Sequence, residues 1–246
     1  MADRFMIRIL RRARGDDRSY WQDFCYDLSS PADTVATALR HINARADLRD
    51  AQGNKAEPVL WESSCLQQKC GACAMVICGR PALACSVRLL ALKDKVIRLE
   101  PLRKFPVIAD LMVDRSILYQ NLKTLKLWLG SGVELDDKDI ELAFESSECI
   151  QCGCCLEVCP NFYCGGEFFG MNGVPLTVKL LTESERKDYL ESAKEYSRHV
   201  FEGCGKSLAC KDICPRNIDT EKMMVNANAV AVWKRRKKND IKQEEY

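Results

Sequence analysis

The spacing of apolar residues changes along the chain from a strand pattern to a helix pattern. In the first third, FMIRILRRA alternates apolar and polar residues, and SYWQDFCYDL can pair with it as a hairpin across the RGDD turn. SSPADTVATALRHINARA begins with helix-capping residues and then repeats apolar residues at Val35, Leu39 and Ile42, on one helix face. After a cysteine-rich stretch, KVIRLEPL is typical of another short strand. These elements predict a small sheet with one packed helix.

Helical spacing dominates from about residue 110. It predicts helices in four segments, IADLMVDRSILYQNLKTLKLWL, DDKDIELAFESS, TESERKDYLESAKEYSRHVFEG and DTEKMMVNANAVAVWKRRKK. The later cysteine motifs are expected in loops at the starts of helices. Residues 86–148 contain no cysteine and offer a natural domain junction. The sequence therefore predicts an α+β protein, with a sheet-containing domain over residues 1–108 and a helical domain over residues 109–246.

Composition limits the classes of partner. The 246 residues include 37 basic and 35 acidic side chains, and this near-balance argues against sustained nucleic-acid binding, which favours a basic excess. The N-terminal stretch MADRFMIRILRRARGDD has no apolar segment of the kind that a secretory signal contains. No run approaches the roughly 18–20 apolar residues that a membrane-spanning helix needs. We therefore expect a soluble chain, or one that only its partners hold at a membrane.

Fifteen cysteines are the unusual feature of the composition. An odd number of cysteines without an export signal is a poor disulfide framework, because the cytosol keeps thiols reduced. The two histidines, His41 and His199, lie far from any regular cysteine spacing, which disfavours Cys/His zinc fingers and Rieske-type ligation. The composition thus favours metal ligation by cysteine thiolates alone.

The first cysteine group has the layout of a plant-type [2Fe–2S] site. CLQQKCGACAMVICGRPALAC contains C-x4-C-x2-C and a fourth cysteine after 11 further residues. Gly71 allows a tight turn between ligands, and the small Ala72 and Ala74 allow the loop to wrap around a cluster. A zinc site on the same thiolates is the alternative, although zinc motifs usually contain two C-x2–4-C pairs and this stretch has one. The predicted ligands are Cys65, Cys70, Cys73 and Cys85.

Two later runs have the C-x2-C-x2-C-x3-C-P layout of bacterial ferredoxins. CIQCGCCLEVCP fits this layout fully, whereas CGKSLACKDICP has Ser207 at the second ligand position. In two-cluster ferredoxins, the fourth cysteine of each run ligates the cluster of the other run. This rule predicts a [4Fe–4S] cluster on Cys149, Cys152, Cys155 and Cys214, and a further cluster on Cys159, Cys204 and Cys210.

Ser207 decides the type of this last cluster. A serine hydroxyl is a harder and much weaker donor than a thiolate, so the fourth iron would be labile or absent. The predicted product is a [3Fe–4S] cluster on three cysteines, with Ser207 at the vacant fourth-ligand position. The alternative is that Ser207 ligates weakly and the cluster stays a complete cube.

Several features receive a plainer interpretation. Cys25, Cys78, Cys154 and Cys164 are interpreted as small buried apolar residues, with Cys154 as a neighbour of the [4Fe–4S] cluster. The basic run WKRRKK could contact anionic lipid or a membrane partner, but a solvated helix end is the favoured interpretation. The sequence has no Ser/His/Asp triad, P-loop or dinucleotide fingerprint, so no residue is assigned to catalysis.

The surroundings of each cluster set its reduction potential, so three different one-electron centres in one chain can form a graded electron relay. The order of the three motifs, over essentially the whole chain, resembles the iron–sulfur subunit of the succinate dehydrogenase and fumarate reductase (complex II) family, and FPVIADLMVDRS is similar to that family's linker. Each motif alone occurs in many ferredoxins, and the combination is specific. The resemblance implies a β-grasp plant-type ferredoxin domain followed by an all-α bacterial ferredoxin-like domain.

The same resemblance implies the partners. They are a flavoprotein subunit with covalent FAD, where succinate and fumarate interconvert, and a cytochrome b-type membrane anchor, with or without haem, that holds quinone. Electrons would pass between FAD and quinone through the [2Fe–2S], [4Fe–4S] and [3Fe–4S] clusters in that order. The subunit would lie peripherally at the cytoplasmic face of the cell membrane, held by these partners.

The sequence also departs from the family pattern. The family's first loop commonly begins C-R-x-G, and this chain has Leu66 and Gln68 in place of the arginine and the glycine. Cys164 replaces a tryptophan that can line the quinone pocket, and Gly205 replaces a frequent histidine after a cluster cysteine. These changes are compatible with a menaquinone-type or otherwise remodelled anchor. Two rival functions are the same relay for a flavoprotein that reduces another enoate, and a stand-alone ferredoxin-like carrier.

Overall fold

The computed structural model describes residues 3–233, and the chain divides into two compact units, Met1–Asp114 and Arg115–Tyr246. The first unit contains the strands and one helix, and the second unit contains the remaining helices. The predicted succession of a sheet-containing part and a helical part is therefore confirmed. The domain boundary predicted after residue 108 stays a prediction.

A five-stranded sheet with the strand order β2-β1-β5-β3-β4 forms the first unit. β1 and β5 are parallel, and the other neighbours are antiparallel. The strands are Arg4–Arg11 (β1), Tyr20–Asp27 (β2), Ala74–Ile77 (β3), Arg80–Leu83 (β4) and Val96–Glu100 (β5), with a separate hairpin of Val107–Ala109 (β6) and Met112–Val113 (β7). The predicted hairpin of the first two strands and the predicted strand in KVIRLEPL are thus confirmed.

The helix of the first unit packs one apolar face into the core. α1 spans Val35–Asn43, and Thr34 caps its N-terminus by accepting a hydrogen bond from the Thr37 backbone N–H. Its residues Val35, Leu39 and Ile42 are fully buried, as their spacing predicted. The alternate residues of β1 that face the same core are Phe5, Ile7 and Ile9.

A buried ion pair joins the end of β1 to the β6–β7 hairpin, and both partners also bind the segment that precedes the first cysteine loop. The Arg11 guanidinium donates to the Asp110 carboxylate at 2.9 Å, and both side chains are only 5–6% exposed. The same carboxylate accepts hydrogen bonds from the backbone N–H groups of Arg12 and Leu60. Arg11 also donates to the Gln22 side chain and to the carbonyl oxygens of residues 57 and 58, so its donors are shared among three segments of the unit.

Helices make up the second unit. They are Ser116–Thr124 (α2), Asp137–Ser147 (α3), Cys154–Glu157 (α4), Gly173–Glu183 (α5), Arg186–Tyr196 (α6), which continues into a π-helical turn over Ser197–Phe201, and Thr220–Ala231 (α7). Asp136 and Asp219 cap α3 and α7 through their carboxylates, which accept backbone N–H groups of the first turn. The core between these helices includes Val174, Val178, Tyr196, Val200 and Met223.

Three helix predictions are confirmed and one needs correction. The helix predicted from residue 108 begins only at Ser116, because residues 107–113 form the β6–β7 hairpin. Asp110 takes a left-handed backbone conformation in the turn of this hairpin (φ 42°), and its buried hydrogen bonds outweigh the helical spacing of the sequence. At the other end, Lys126 is left-handed (φ 54°) and α2 has already ended at Thr124.

Two helices were not predicted, and one prediction falls outside the described residues. The short helix α4 lies within the cysteine run CIQCGCCLEVCP, which was expected to be a loop. α5 carries Val174, Val178 and Leu181 at helical spacing, but the neighbouring glycines and Pro175 hid this pattern. The basic run WKRRKK lies outside the described residues from Lys234 onward. Among the described helices, none combines the length and the hydrophobicity needed to cross a membrane.

Candidate metal centres

The structure brings the four cysteines of the first group together in the first unit. The Cys65 sulfur accepts hydrogen bonds from the backbone N–H groups of Gln67 and Lys69, each at 3.3 Å, and from the N–H and thiol of Cys70. Cys73 Sγ accepts the backbone N–H of Cys85, and the charge on Cys70 also raises the pKa of Cys73. All four thiols of the predicted [2Fe–2S] site therefore lie within one local cluster.

The two halves of this cluster differ in their electrostatics. The N–H groups of Gln67 and Lys69 lower the pKa of Cys65 to about 7, because they stabilise its thiolate. Burial raises the pKa of Cys73 to about 12. Thiolate sulfur is the ligand that iron–sulfur clusters use, and N–H groups directed at sulfur stabilise their negative charge, so the residues fit such a group.

The non-glycine residues of the first loop adopt an unusual backbone. Leu66 and Gln68 are both left-handed, with φ values of 53° and 60°. Alternating left-handed residues turn successive N–H groups toward one point, which forms a concave site for an anion. Gln68 stands where the family pattern commonly has glycine, and its backbone keeps the left-handed conformation that glycine adopts easily.

The second group forms in the second unit from one short run and one distant cysteine. Burial raises the pKa of Cys149 to about 12, and the charges on Cys152 and Cys214 raise it further. Burial likewise raises the pKa of Cys155, with contributions from Cys152, Cys149, Cys210 and Cys214, of which Cys210 belongs to the third group. The structure therefore gathers Cys214 with the three cysteines of the run, although 58 residues lie between Cys155 and Cys214.

Neighbouring side chains supply hydrogen bonds to the sulfurs of this second group. Cys154 is fully buried, and both its thiol and its backbone N–H donate to Cys152 Sγ, which lowers the pKa of Cys152. The positive charge of Arg115 lowers that pKa further. At Cys149, the Gln151 side-chain amide donates to the sulfur at 3.1 Å. The prediction that Cys154 neighbours this site agrees with the geometry, whereas the roles of Arg115 and Gln151 were not predicted, since no motif marks them.

The third group surrounds a cavity of about 300 Å³ in the second unit. Cys159, Cys204, Cys210 and Ser207 all line this cavity, together with apolar side chains such as Phe168 and Met171. Burial raises the pKa of Cys210, and the charges on Cys159 and Cys204 add to this effect. The three thiols predicted for the last cluster thus face one space, which suits a group larger than a single ion.

Ser207 lines the same cavity and forms a hydrogen bond within its own loop. Its Oγ accepts the backbone N–H of Ala209 at 3.4 Å. Lys206 and Leu208 on either side are left-handed, both with φ 55°. Asn161 donates to the Gly203 carbonyl at 2.8 Å and fills the space that a side chain at Gly205 would need. A side chain at residue 205 would therefore require the Asn161 amide to move.

Three of the remaining cysteines, Cys25, Cys78 and Cys164, are half-buried, so their interpretation as buried apolar residues needs correction. Cys25 lies on β2, Cys78 lies in the turn between β3 and β4 with φ 49°, and Cys164 is half-buried. Across residues 3–233, no three or more Cys, His, Asp and Glu side chains are arranged as a ready-made site for a single metal ion. The assignment of individual ligands therefore stays a prediction.

Comparisons with known proteins support the same two regions. A family model described as "2Fe-2S iron-sulfur cluster binding domain" matches residues 6–120, and one described as "4Fe-4S dicluster domain" matches residues 145–218. The first range contains the first cysteine group, and the second contains the two ferredoxin-like runs.

Similar curated proteins span most of the chain. The succinate dehydrogenase iron-sulfur subunit of Bacillus subtilis is 34% identical over 232 residues, which cover 89% of each chain. The fumarate reductase iron-sulfur subunit of Wolinella succinogenes is 34% identical over 163 residues, covering 61% of this chain and 67% of that protein. An uncharacterized iron-sulfur protein of Methanocaldococcus jannaschii is 31% identical over 220 residues, covering 87% of this chain but 41% of that protein.

A solved structure shares the fold. A chain of the structure titled "Mycobacterium smegmatis Sdh1 complex in the apo form" superposes with a TM-score of 0.68 at 22% identity, covering 93% of this chain and 97% of that chain.

Proposed function

Because this chain belongs to the iron–sulfur subunits of the succinate dehydrogenase and fumarate reductase family, we propose that it relays electrons between the FAD of a flavoprotein subunit and quinone at a membrane anchor. It carries a 2Fe-2S domain followed by a 4Fe-4S dicluster domain. This succession of domains in a chain that is 34% identical to a succinate dehydrogenase subunit over 89% of its length is the observation that carries the proposal.

The proposed ligands are the three groups of thiols described above. Iron–sulfur clusters held by these thiolates supply one-electron chemistry. The chain's own residues would hold the clusters and direct N–H groups at their sulfurs. Its proposed ligand sets are Cys65, Cys70, Cys73 and Cys85 for [2Fe–2S], Cys149, Cys152, Cys155 and Cys214 for [4Fe–4S], and Cys159, Cys204 and Cys210 for [3Fe–4S].

The finer fold and the cellular place are part of the same proposal. We infer a β-grasp plant-type ferredoxin domain over residues 1–108 and an all-α bacterial ferredoxin-like domain over residues 109–246. The parallel pairing of β1 with β5 and the packing of α1 on the sheet support the first name. We infer that a flavoprotein and a cytochrome b-type anchor hold the subunit at the cytoplasmic face of the membrane. Succinate or fumarate chemistry would take place on the flavoprotein.

The proposal is tested on the native complex. Purification through a tag on this chain should recover a flavoprotein and a membrane subunit, with electron paramagnetic resonance signals of all three cluster types. Succinate should reduce the clusters in this preparation, and a quinone analogue should reoxidise them. Recovery of the chain without a flavoprotein, or with zinc in place of iron, would contradict the proposal.

A single substitution tests the role of Ser207. Ser207→Cys supplies a fourth thiolate beside Cys159, Cys204 and Cys210, so we expect the [3Fe–4S] signal of the oxidised complex to disappear as a [4Fe–4S] cluster forms. Ser207→Ala is the matched control and should keep the [3Fe–4S] signal, because it removes only a hydroxyl. An unchanged spectrum of Ser207→Cys, or loss of the signal in Ser207→Ala, would refute this role.

A further inference from the structure

Gln151 directs its side-chain amide at a sulfur of the second cysteine group. Its Nε2 lies 3.1 Å from Cys149 Sγ and 3.2 Å from the backbone carbonyl oxygen of Asn172. Its Oε1 accepts a hydrogen bond of 2.9 Å from Asn172 Nδ2. Asn172 itself is 2% exposed and lies in a short helical turn immediately before α5. A buried residue from a distant segment thus holds the Gln151 amide in place.

The hydrogen bonds fix the orientation of this amide. A backbone carbonyl oxygen only accepts hydrogen bonds, so the Gln151 NH₂ group, and not its oxygen, must face the Asn172 carbonyl. The Asn172 NH₂ group in turn requires the Gln151 oxygen as its acceptor. With one N–H directed at the carbonyl, the other N–H is left for Cys149 Sγ. The amide is therefore a preorganised donor to this sulfur.

The backbone at the same residue gives an independent indication. Gln151 is left-handed, with φ 52°, a conformation that costs a non-glycine residue about 1–2 kcal/mol. Glycine would adopt it without this cost. A glutamine that keeps a strained backbone and makes three hydrogen bonds through its side chain indicates that the side chain itself has a task at this position.

We propose that Gln151, positioned by Asn172, raises the reduction potential of the [4Fe–4S] cluster through its hydrogen bond to Cys149. The inference rests on the proposed ligand role of Cys149. One-electron reduction adds a negative charge to the cluster and its thiolates, and a donor at sulfur stabilises that added charge. Cys149 and Gln151 are half-buried, so water screens this hydrogen bond less than it would at an exposed site. Gln151 is thus a positioning residue, not a ligand.

The neighbouring sulfur receives comparable support. Cys152 accepts hydrogen bonds from the thiol and the N–H of Cys154 and lies near the positive charge of Arg115. Donors therefore reach two sulfurs of this group from two sides. The contribution of Gln151 differs from these, because it comes from a side chain that can be removed without changing a thiol or a charge.

The test measures the midpoint potential of each cluster in the complex by redox titration with electron paramagnetic resonance. We expect Gln151→Gly and Gln151→Leu to lower the potential of the [4Fe–4S] cluster by the equivalent of about a tenfold change in the one-electron equilibrium, or about 59 mV. The potential of the [2Fe–2S] cluster in the same samples is the internal control and should not change. Gln120→Leu, at an exposed residue of α2, is the control for a new leucine on this unit.

The two variants together keep the inference open to refutation. Gln151→Gly relieves the left-handed strain, so this variant should load its cluster even if Gln151→Leu does not. An unchanged [4Fe–4S] potential in Gln151→Gly would overturn the inference, and so would an equal fall in the [2Fe–2S] potential. A purely structural role would alter the melting temperature of Gln151→Gly and leave its potential unchanged. Absence of a [4Fe–4S] signal in the unaltered complex would instead refute the proposed ligands, which is a different result.

Discussion

The buried Arg11–Asp110 pair provides the sharpest test of how the first unit is held together. Asp110→Asn changes one atom of the side chain and removes the charge that faces the guanidinium. Asparagine tolerates the left-handed backbone of this turn (φ 42°) nearly as well as aspartate, so backbone strain changes little. What remains is a buried, uncompensated arginine charge and an amide NH₂ group that competes with it as a donor.

The expected magnitude follows from the burial of both partners. The side chains are 6% and 5% exposed, so water cannot replace the lost carboxylate. Removing one member of a buried pair costs about 3–5 kcal/mol, because the other charge stays desolvated. For a unit of this size, that loss corresponds to a fall of about 12–20 °C in the melting temperature. The exposed pair of Arg4 and Asp27 offers a matched control, and Asp27→Asn should change stability little.

The measurement is thermal unfolding of the full chain, followed by circular dichroism and by the visible absorbance of the bound clusters. Because Asp110 also accepts the backbone N–H of Leu60, a few residues before Cys65, the variant should lose the absorbance of the [2Fe–2S] cluster early in the transition. Arg11→Met combined with Asp110→Asn should recover part of the loss, since no charge is then left buried. Equal melting temperatures of Asp110→Asn and Asp27→Asn would refute the reasoning.

Two further predictions concern the same unit. Cys78 and Gly79 are both left-handed (φ 49° and 83°), as a type I′ turn requires. Cys78→Asn should therefore raise the free energy of unfolding in urea titrations by about 0.5–1 kcal/mol and keep the [2Fe–2S] spectrum, whereas Gly79→Ala should lower the free energy of unfolding. Loss of the cluster in Cys78→Asn would show that Cys78 is a ligand. Burial opposes ionisation of Asp33, but hydrogen bonds from Tyr26, Ser29 and Ser30 lower its pKa below 3.8. The stabilising effect of the ionised carboxylate is therefore complete above about pH 4 and is lost as the pH falls through the lowered pKa. Asp33→Asn should therefore be less stable at neutral pH and show a shallower loss of stability in acid, and an unchanged acid slope would contradict this.

The sequence predicted those elements whose periodicity and caps agree with their tertiary surroundings. α1 is an example, because Thr34 caps it and its apolar face is the buried face. The start of α2 was mispredicted because the turn at Asp110 depends on Arg11, which lies about one hundred positions away. α5 was missed because Pro175 and nearby glycines obscured a regular apolar face. In each failure, the deciding interaction is distant in sequence or the local signal is masked.

The candidate centres show the same division. Cysteine spacing predicted three groups of thiols, and the thiols of each group do lie together. The residues that support the sulfurs were not predictable, because their roles depend on contacts that no spacing encodes. Gln151, which donates to Cys149, is held by Asn172, and the positive charge of Arg115 acts on Cys152. Spacing thus predicts candidate ligands, whereas the surroundings that set their properties emerge only from the packed structure.

The position of Cys214 shows how the fold can prepare a site from distant segments. Two ion pairs connect the end of α3, just before Cys149, with the segment that follows Cys214. Lys222 on α7 binds Glu145 at 2.6 Å, and Arg216 binds Glu148. The Asp219 backbone N–H adds a hydrogen bond to Glu145. These contacts involve no cysteine, so protein interactions alone bring the thiol of Cys214 toward the other three. The chain therefore loses less conformational entropy when a cluster assembles.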